Sequence, residues 1–321
     1  RAALRQVLDE PALELVAVND LAPADNLAYL LKYDTIYGRY GRDVAAGEGA
    51  LIIGGASYPL FSEKDPLRLP WREMRVDVVL ECTGMFTSRE GLGKHLEAGA
   101  RHAILSAPSK DTEVLSVVSG VNTPRVRPEM ISCASCTTNC IAPVVEVIDR
   151  RIGVRKAAMT TVHAYTWSQG IVDGPAKRVE RGRAGAANLV PTSTGAAKAT
   201  ARVLPELEGI FDGSAIRAPV AIGSVADITF VTKHVTSVDE INQFFIEESD
   251  TERYQEILGV SHDPLVSSDI VGDPRASVVD LTRTQVIDGD LVKVMSWYDN
   301  EWGFTRQMIR EALAFSTSPV R

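Results

Sequence analysis

The 321-residue sequence is short of several things, and each shortage narrows what the protein can be. It has four cysteines, three of them between positions 133 and 140, which is no disulfide framework for a chain this long. A reducing cytoplasm is the expected compartment. No run of about eighteen apolar residues occurs, so no membrane-spanning helix is expected. Lys and Arg number 34 against 42 Asp and Glu, a net charge of −8. The basic excess of a dedicated nucleic-acid binder is therefore missing. Internal repeats and low-complexity tracts are absent too. The opening residues, Arg1 to Leu8, read as an amphipathic helix without the apolar centre of a signal peptide. What remains is ordinary: 45% apolar and 24% charged, with a length that suits two domains.

Leu13 to Val18 is a continuous apolar run of the kind buried in a parallel sheet, closed by Asn19-Asp20. An acid at such a strand end holds the adenosine ribose in dinucleotide-binding βαβ units, about 20 residues after a glycine fingerprint. No glycine precedes Asp20. Two readings stand: Asp20 is a bland strand end, or the first strand and its phosphate loop precede Arg1. Gly91-Leu-Gly93 imitates half a fingerprint but follows a helix start, and is discounted. A helix over 26–32, a hairpin of Ala50–Ile53 with Tyr58–Leu60 around Gly54-Gly55, a strand over 76–81, a helix over 89–98 and a strand over 103–105 follow. Alternating strands and helices indicate a doubly wound sheet with ligands at the strands' carboxyl ends. From Ala157 the texture changes. Strands over 157–165, 215–219, 224–232, 278–281 and 291–296, with helices from Thr194, over 238–249 and over 301–314, suggest an α+β domain with a more antiparallel sheet.

The chain is organised around Ile131-Ser-Cys-Ala-Ser-Cys-Thr-Thr-Asn-Cys140. It reads as a buried strand turning into a helix that Gly153 stops, with Ser135 as N-cap. Cys136 then sits at the positive end of the helix dipole, where a lowered thiol pKa is expected. The same helix start is a natural anion site. His163, near the end of a later strand, is the expected partner, able to activate the thiol and to serve as acid and base. The spacing of Cys133, Cys136 and Cys140 matches no complete metal motif, and no metal is expected. A reversible Cys133–Cys136 disulfide is a possible oxidative switch. Ser135 with Thr137, Thr166 with Ser168, and Thr194 with Gly195 offer polar groups for anions, and Arg217 suits bidentate phosphate recognition. Lys177, Arg178, Arg181 and Arg183 read as a solvated loop.

At Ser135-Cys136-Thr-Thr-Asn-Cys140 the sequence closely resembles phosphorylating glyceraldehyde-3-phosphate dehydrogenases of type I. The resemblance continues through Leu31-Lys-Tyr-Asp34, Ser106-Ala-Pro108, Thr161-Val-His-Ala-Tyr-Thr166, Val172-Asp-Gly-Pro175, Pro191-Thr-Ser-Thr-Gly-Ala-Ala-Lys198 and Ser296-Trp-Tyr-Asp-Asn-Glu-Trp-Gly303. It spans essentially the whole chain. It implies a doubly wound, Rossmann-type cofactor domain over 1–135, lacking its first strand and Gly-rich loop and completed by a C-terminal helix over 301–321. It further implies an α+β catalytic domain over 136–300 with a mostly antiparallel sheet. Cys136 would attack the aldehyde and His163 take the proton. The resulting acyl thioester would be cleaved by inorganic phosphate, converting glyceraldehyde 3-phosphate to 1,3-bisphosphoglycerate. By motif position, Thr166, Ser168, Arg181 and Arg217 hold the substrate phosphate, and Ser135, Thr137, Thr194 and Gly195 the attacking phosphate. Asp20, Thr83, Gly84, Ser106 and Asn300 fall on cofactor contacts. Asp20 and Gly174-Pro175 favour NAD over NADP. The resemblance also implies a homotetramer in which the 169–187 loop reaches a neighbour's cofactor site.

Departures from the pattern are Cys133 where relatives usually have Asn, Phe304 where many have Tyr, and Ile222 where Asn is common. The weighed alternatives are erythrose-4-phosphate dehydrogenase, a non-catalytic interaction protein, and a Cys/His hydrolase or acyltransferase without nicotinamide.

Overall fold

The computed structural model describes residues 1–316. The last five positions of the expected 301–321 helix lie outside the described residues. The chain divides into two compact units, the first comprising 1–115, 126–133 and the chain from Met308, the second 116–125 and 134–307.

Among the described residues the first unit holds two four-stranded sheets, besides the short pair Tyr33–Asp34 with Gly38–Arg39. In one, Ala50–Ile53 and Ala56–Phe61 form a hairpin. Its turn residues Gly54 and Gly55 have φ of 59° and 84°, a conformation that costs glycine little. The expected long strand over 13–18 shrinks here. Only Val18–Asn19 is ladder-bonded, parallel to Leu60–Phe61. Leu13 to Ala17 have no strand partner among the described residues and are at most half-buried. Apolar character alone did not secure a ladder for them. The other sheet is parallel: Val78–Glu81 pairs with His102–Leu105, which pairs with Met130–Ser132. The helix Arg89–Glu97 makes the crossover between the first two, as parallel pairing requires. Ser88 caps it, its hydroxyl accepting from the Gly91 N–H at 3.1 Å. Near the C-terminus, Phe315 stacks on His102 with ring centroids 4.3 Å apart, and Glu311 pairs with Arg127.

The second unit is built on an eight-stranded, mostly antiparallel sheet. Its order is Val190–Ser193, Phe211–Ala218, Val154–Ala164, Ser224–Thr232, Leu291–Tyr298, Ser277–Asp280 and Leu258–Ser261, with Gln285–Ile287 also on Leu291–Tyr298. Two pairs run parallel, Val154–Ala164 with Phe211–Ala218 and Leu258–Ser261 with Ser277–Asp280. Ser224–Thr232 alternates buried and half-buried residues along its length, the signature of one face turned to a core. That core joins Ile228, Phe230, Val292 and Val294 to Ile141, Val144, Val145 and Ile148 of the helix Cys136–Ile152. Gly153, at φ 73°, ends this helix as expected.

The parallel pair matters for the site, because it sets His163 opposite Arg217 in register. In the same ladder Gly213 lies opposite Met159, and a Cβ at Gly213 would come within 2.6 Å of the Met159 carbonyl oxygen. Gly213→Val should therefore destabilise the fold by roughly 1–3 kcal/mol through overpacking. A thermal unfolding midpoint equal to wild type would contradict this.

Candidate functional site

Ser135 caps the Cys136–Ile152 helix as its sequence position suggests. Its hydroxyl accepts from the Thr138 N–H at 3.1 Å and lies 2.8 Å from the Thr138 hydroxyl. The residue before it, Ala134, is fully buried at φ 55°, a left-handed conformation unusual for a residue with a side chain. That turn delivers Cys136 to the start of the helix. Its sulfur lies 3.4 Å from His163 Nε2.

One carbonyl sets the roles of the imidazole. Ala164 O lies 2.7 Å from His163 Nδ1 and 2.8 Å from Arg217 Nη1. A carbonyl only accepts, so Nδ1 carries the proton and Nε2 turns its lone pair to the sulfur. The Arg217 Nη1 also lies 3.0 Å from Nδ1, a donor beside a donor. Burial and then this guanidinium push the His163 pKa down to about 4. The thiol departs from expectation. Although Cys136 is half-buried by surface area, the surrounding protein raises its pKa. Hydrogen bonds from Thr137 and the positive charge of Arg217 oppose that rise. Desolvation of the sulfur thus outweighs the helix start. In this arrangement thiol and imidazole are both neutral at neutral pH.

Beneath the pair lies Tyr298, which sequence reasoning missed. Its hydroxyl is 2.9 Å from that of Thr137 and 2.8 Å from that of Thr161, and its ring meets His163 edge-on at 5.9 Å. Tyr298 is fully buried. This contact braces the imidazole against rotation.

Lys177, Arg178 and Arg183 are exposed, as expected of a solvated loop, whereas Arg181 is half-buried. Arg178 bonds the hydroxyls of Thr192 and Ser193, and Arg181 Nε donates to Thr192 Oγ1 at 3.1 Å. Arg183 does pair outward, with exposed Asp173. The pKa values of Arg217 and Arg181 are both lowered, first by burial and then by a neighbouring arginine. Arg181 acts on Arg217 and Arg178 on Arg181. Cations held in mutual repulsion favour an anion between them. Arg217 Nε, moreover, is buried and has no hydrogen-bond partner. Thr166 and Ser168 hydroxyls lie 3.0 Å apart. Thr194 Oγ1 accepts from the Ala196 N–H at 3.1 Å, and Gly195 starts the helix Ala196–Val203. Asn300 is buried, its side-chain oxygen accepting from the Gly223 N–H and the Ser224 hydroxyl. Its amide N–H groups are thereby turned away from these bonds, available to a carbonyl acceptor.

Asp20, Thr83, Gly84 and Ser106 belong to the first unit. Asp20 is exposed and accepts from the Ala22 N–H at 2.9 Å, leaving its other oxygen for hydroxyl groups. Gly84 has φ 70° and no atom within 4 Å of where a Cβ would stand, so a ligand can lie against its backbone. Ser106 N donates to the Glu81 carbonyl at 3.0 Å. These residues fit a dinucleotide. Cys133, by contrast, is buried with its thiol pushed well above its ordinary value by burial. The thiolate that disulfide exchange needs is suppressed there, and all four cysteines are free.

Residues 1–89 match the profile of the glyceraldehyde 3-phosphate dehydrogenase NAD binding domain, and 135–300 that of the C-terminal domain of the same enzyme. The chain belongs to the glyceraldehyde-3-phosphate dehydrogenase family. Among relatives in this family, glyceraldehyde-3-phosphate dehydrogenase of Streptomyces coelicolor is 45% identical over 312 residues, covering 96% of this chain and 92% of that protein. The enzyme of Clostridium pasteurianum is 44% identical over 317 residues, covering 97% and 93%. That of Geobacillus stearothermophilus is 44% identical over 312 residues, covering 96% and 92%.

The depressed imidazole carries a stability consequence. Between pH of about 6.5 and about 4 the unfolded chain binds a proton at His163 that the folded chain does not. Stability therefore falls as pH drops through that window, by up to roughly 3 kcal/mol. Denaturant unfolding of His163→Gln should show a shallower pH dependence there. An imidazole NMR titration of the wild type with its midpoint at 6.5 would sink the assignment.

Proposed function

We propose that this chain oxidises and phosphorylates glyceraldehyde 3-phosphate to 1,3-bisphosphoglycerate with NAD as cofactor. The observation that carries the reading is the Cys136 sulfur 3.4 Å from an imidazole nitrogen whose other nitrogen is fixed by a carbonyl, beside the repelling arginines 181 and 217. Cys136 Sγ bonds to the aldehyde carbon as its proton passes to His163 Nε2. The carbonyl oxygen becomes an oxyanion, held by the imidazolium N–H and the Cys136 backbone N–H. The neutral starting pair suits this order, since charge develops only as the carbon–sulfur bond forms. NAD, when bound, supplies the two-electron acceptor that turns the thiohemiacetal into an acyl thioester. A phosphate oxygen then attacks the thioester carbon, and the Cys136 thiolate leaves.

Thr166, Ser168, Arg181 and Arg217 hold the substrate phosphate in this proposal. Ser135, Thr137, Thr194 and Gly195 hold the attacking phosphate. Asp20, Thr83, Gly84, Ser106 and Asn300 hold the cofactor, and Asp20 disfavours a 2′-phosphate by like charge. Residues 1–135 with the helix from Glu301 would form the cofactor domain, and 136–300 the catalytic one. The segment around 167–189 exposes Trp167, Ile171, Val172, Val179 and Leu189, which supports its burial in a homotetramer. Four free thiols fit a reducing cytoplasm.

Aldehyde oxidation should depend on added inorganic phosphate and vanish in Cys136→Ser. Turnover indifferent to phosphate would point instead to hydrolysis of the thioester, the erythrose-4-phosphate chemistry. NAD should show a lower KM than NADP, and Asp20→Ala should narrow the gap. Steady-state kinetics with both cofactors decides it.

A further inference from the structure

Three buried side chains of the first unit form a line that the chemistry above does not use. Trp71 Nε1 lies 3.2 Å from His95 Nδ1, and His95 Nε2 lies 3.0 Å from Glu81 Oε2. The three residues are 5%, 4% and 3% exposed, so water does not compete for these bonds. An indole N–H can only donate. His95 Nδ1 is therefore an acceptor, and Nε2 carries the proton that it gives to Glu81. The tautomer is set by Trp71, and a second proton on the ring would leave the indole facing a donor.

Glu81 ends the strand Val78–Glu81, and its other oxygen faces the loop that follows. Oε1 accepts from the Thr83 N–H at 2.7 Å and from the Thr83 hydroxyl. The Thr83 hydroxyl oxygen in turn accepts from the Met85 N–H at 3.0 Å. Hydrogen bonds from His95 and Thr83 hold the Glu81 carboxyl below its usual range, against the desolvation that would raise it. A buried carboxylate with one oxygen on the crossover helix and the other on the loop fixes that loop to the scaffold. Thr83, Gly84 and Met85 are themselves exposed. The loop is open to a ligand above and anchored from below.

We propose that Trp71, His95 and Glu81 form a buried positioning relay that presets the Thr83–Met85 turn for NAD. The inference rests on the cofactor reading given above. Presetting the turn removes an ordering cost that binding would otherwise carry. None of the three side chains needs to touch the ligand. Breaking the relay loosens the loop and weakens cofactor binding while the Cys136 chemistry keeps its own residues.

The test uses the full chain with His95→Leu, His95→Gln, Trp71→Phe and Glu81→Gln. NAD affinity is measured by calorimetry, and amide hydrogen exchange across 82–85 is followed without cofactor. His95→Leu should raise the Kd and KM for NAD by roughly tenfold, the scale of one lost hydrogen bond to a charged group, with kcat at saturating NAD nearly retained. Exchange at Thr83 and Met85 should quicken in the same variant. His95→Gln, which keeps a donor for Glu81, should recover part of both, and Trp71→Phe should show a smaller loss. Nitrogen NMR of the wild type should report the Nε2–H tautomer at His95. An Nδ1–H tautomer, or a folded His95→Leu chain with unaltered exchange and NAD affinity, overturns the proposal. Should His95→Leu not fold, Trp71→Phe and Glu81→Gln decide by the same two measurements. If the wild type binds no NAD, the cofactor reading fails, and with it the purpose assigned to the relay. Tautomer and exchange would then still report whether the relay orders the loop.

Discussion

One main-chain oxygen, that of Ala164, governs what the second unit can do. It takes hydrogen bonds from both His163 and Arg217, and so orients two side chains from neighbouring strands at once. Without an acceptor on Nδ1 the ring would be free to place its proton on either nitrogen, and the Nε2–H form would present a donor to the sulfur. Parallel pairing of Val154–Ala164 with Phe211–Ala218 brings Arg217 to that oxygen. The placing of His163 against Arg217 is thus a property of sheet register before it is a property of side chains. The consequence is electrostatic: burial first, and then the cation beside it, keep the imidazole neutral.

The first unit solves a related problem by a different route. The loop after Val78–Glu81 has no strand partner among the described residues, and the buried Glu81 carboxylate holds it through Thr83. In both units a polar group at a strand's end is satisfied from below, leaving the surface above it for a ligand. Fixed dipoles and charges of this sort need no reorganisation when the ligand arrives.

Much of this was readable beforehand. Ser135 as cap, Gly153 as stop and the Ser224–Thr232 strand follow from local chemistry, which operates over a few residues. The approach of Cys136 to His163, 27 positions apart, was suggested by their element ends and by family resemblance, not by spacing. Three things escaped. The sign of the Cys136 shift depends on how much protein surrounds the sulfur, which no helix-position rule contains. Tyr298 acts through partners more than ten residues away, so its local sequence looks like ordinary strand. Leu13 to Ala17 has a strand's composition, but pairing is decided by neighbours and not by composition.

Ala134 offers a last point. Its left-handed backbone is enclosed on every side, so the position is squeezed by two demands at once: a main chain that glycine would adopt most easily, and a cavity that a methyl group fills. Branched or bulky replacements satisfy neither. Variation there should be confined to the two smallest amino acids, a restriction on inheritance imposed by backbone shape and enclosure.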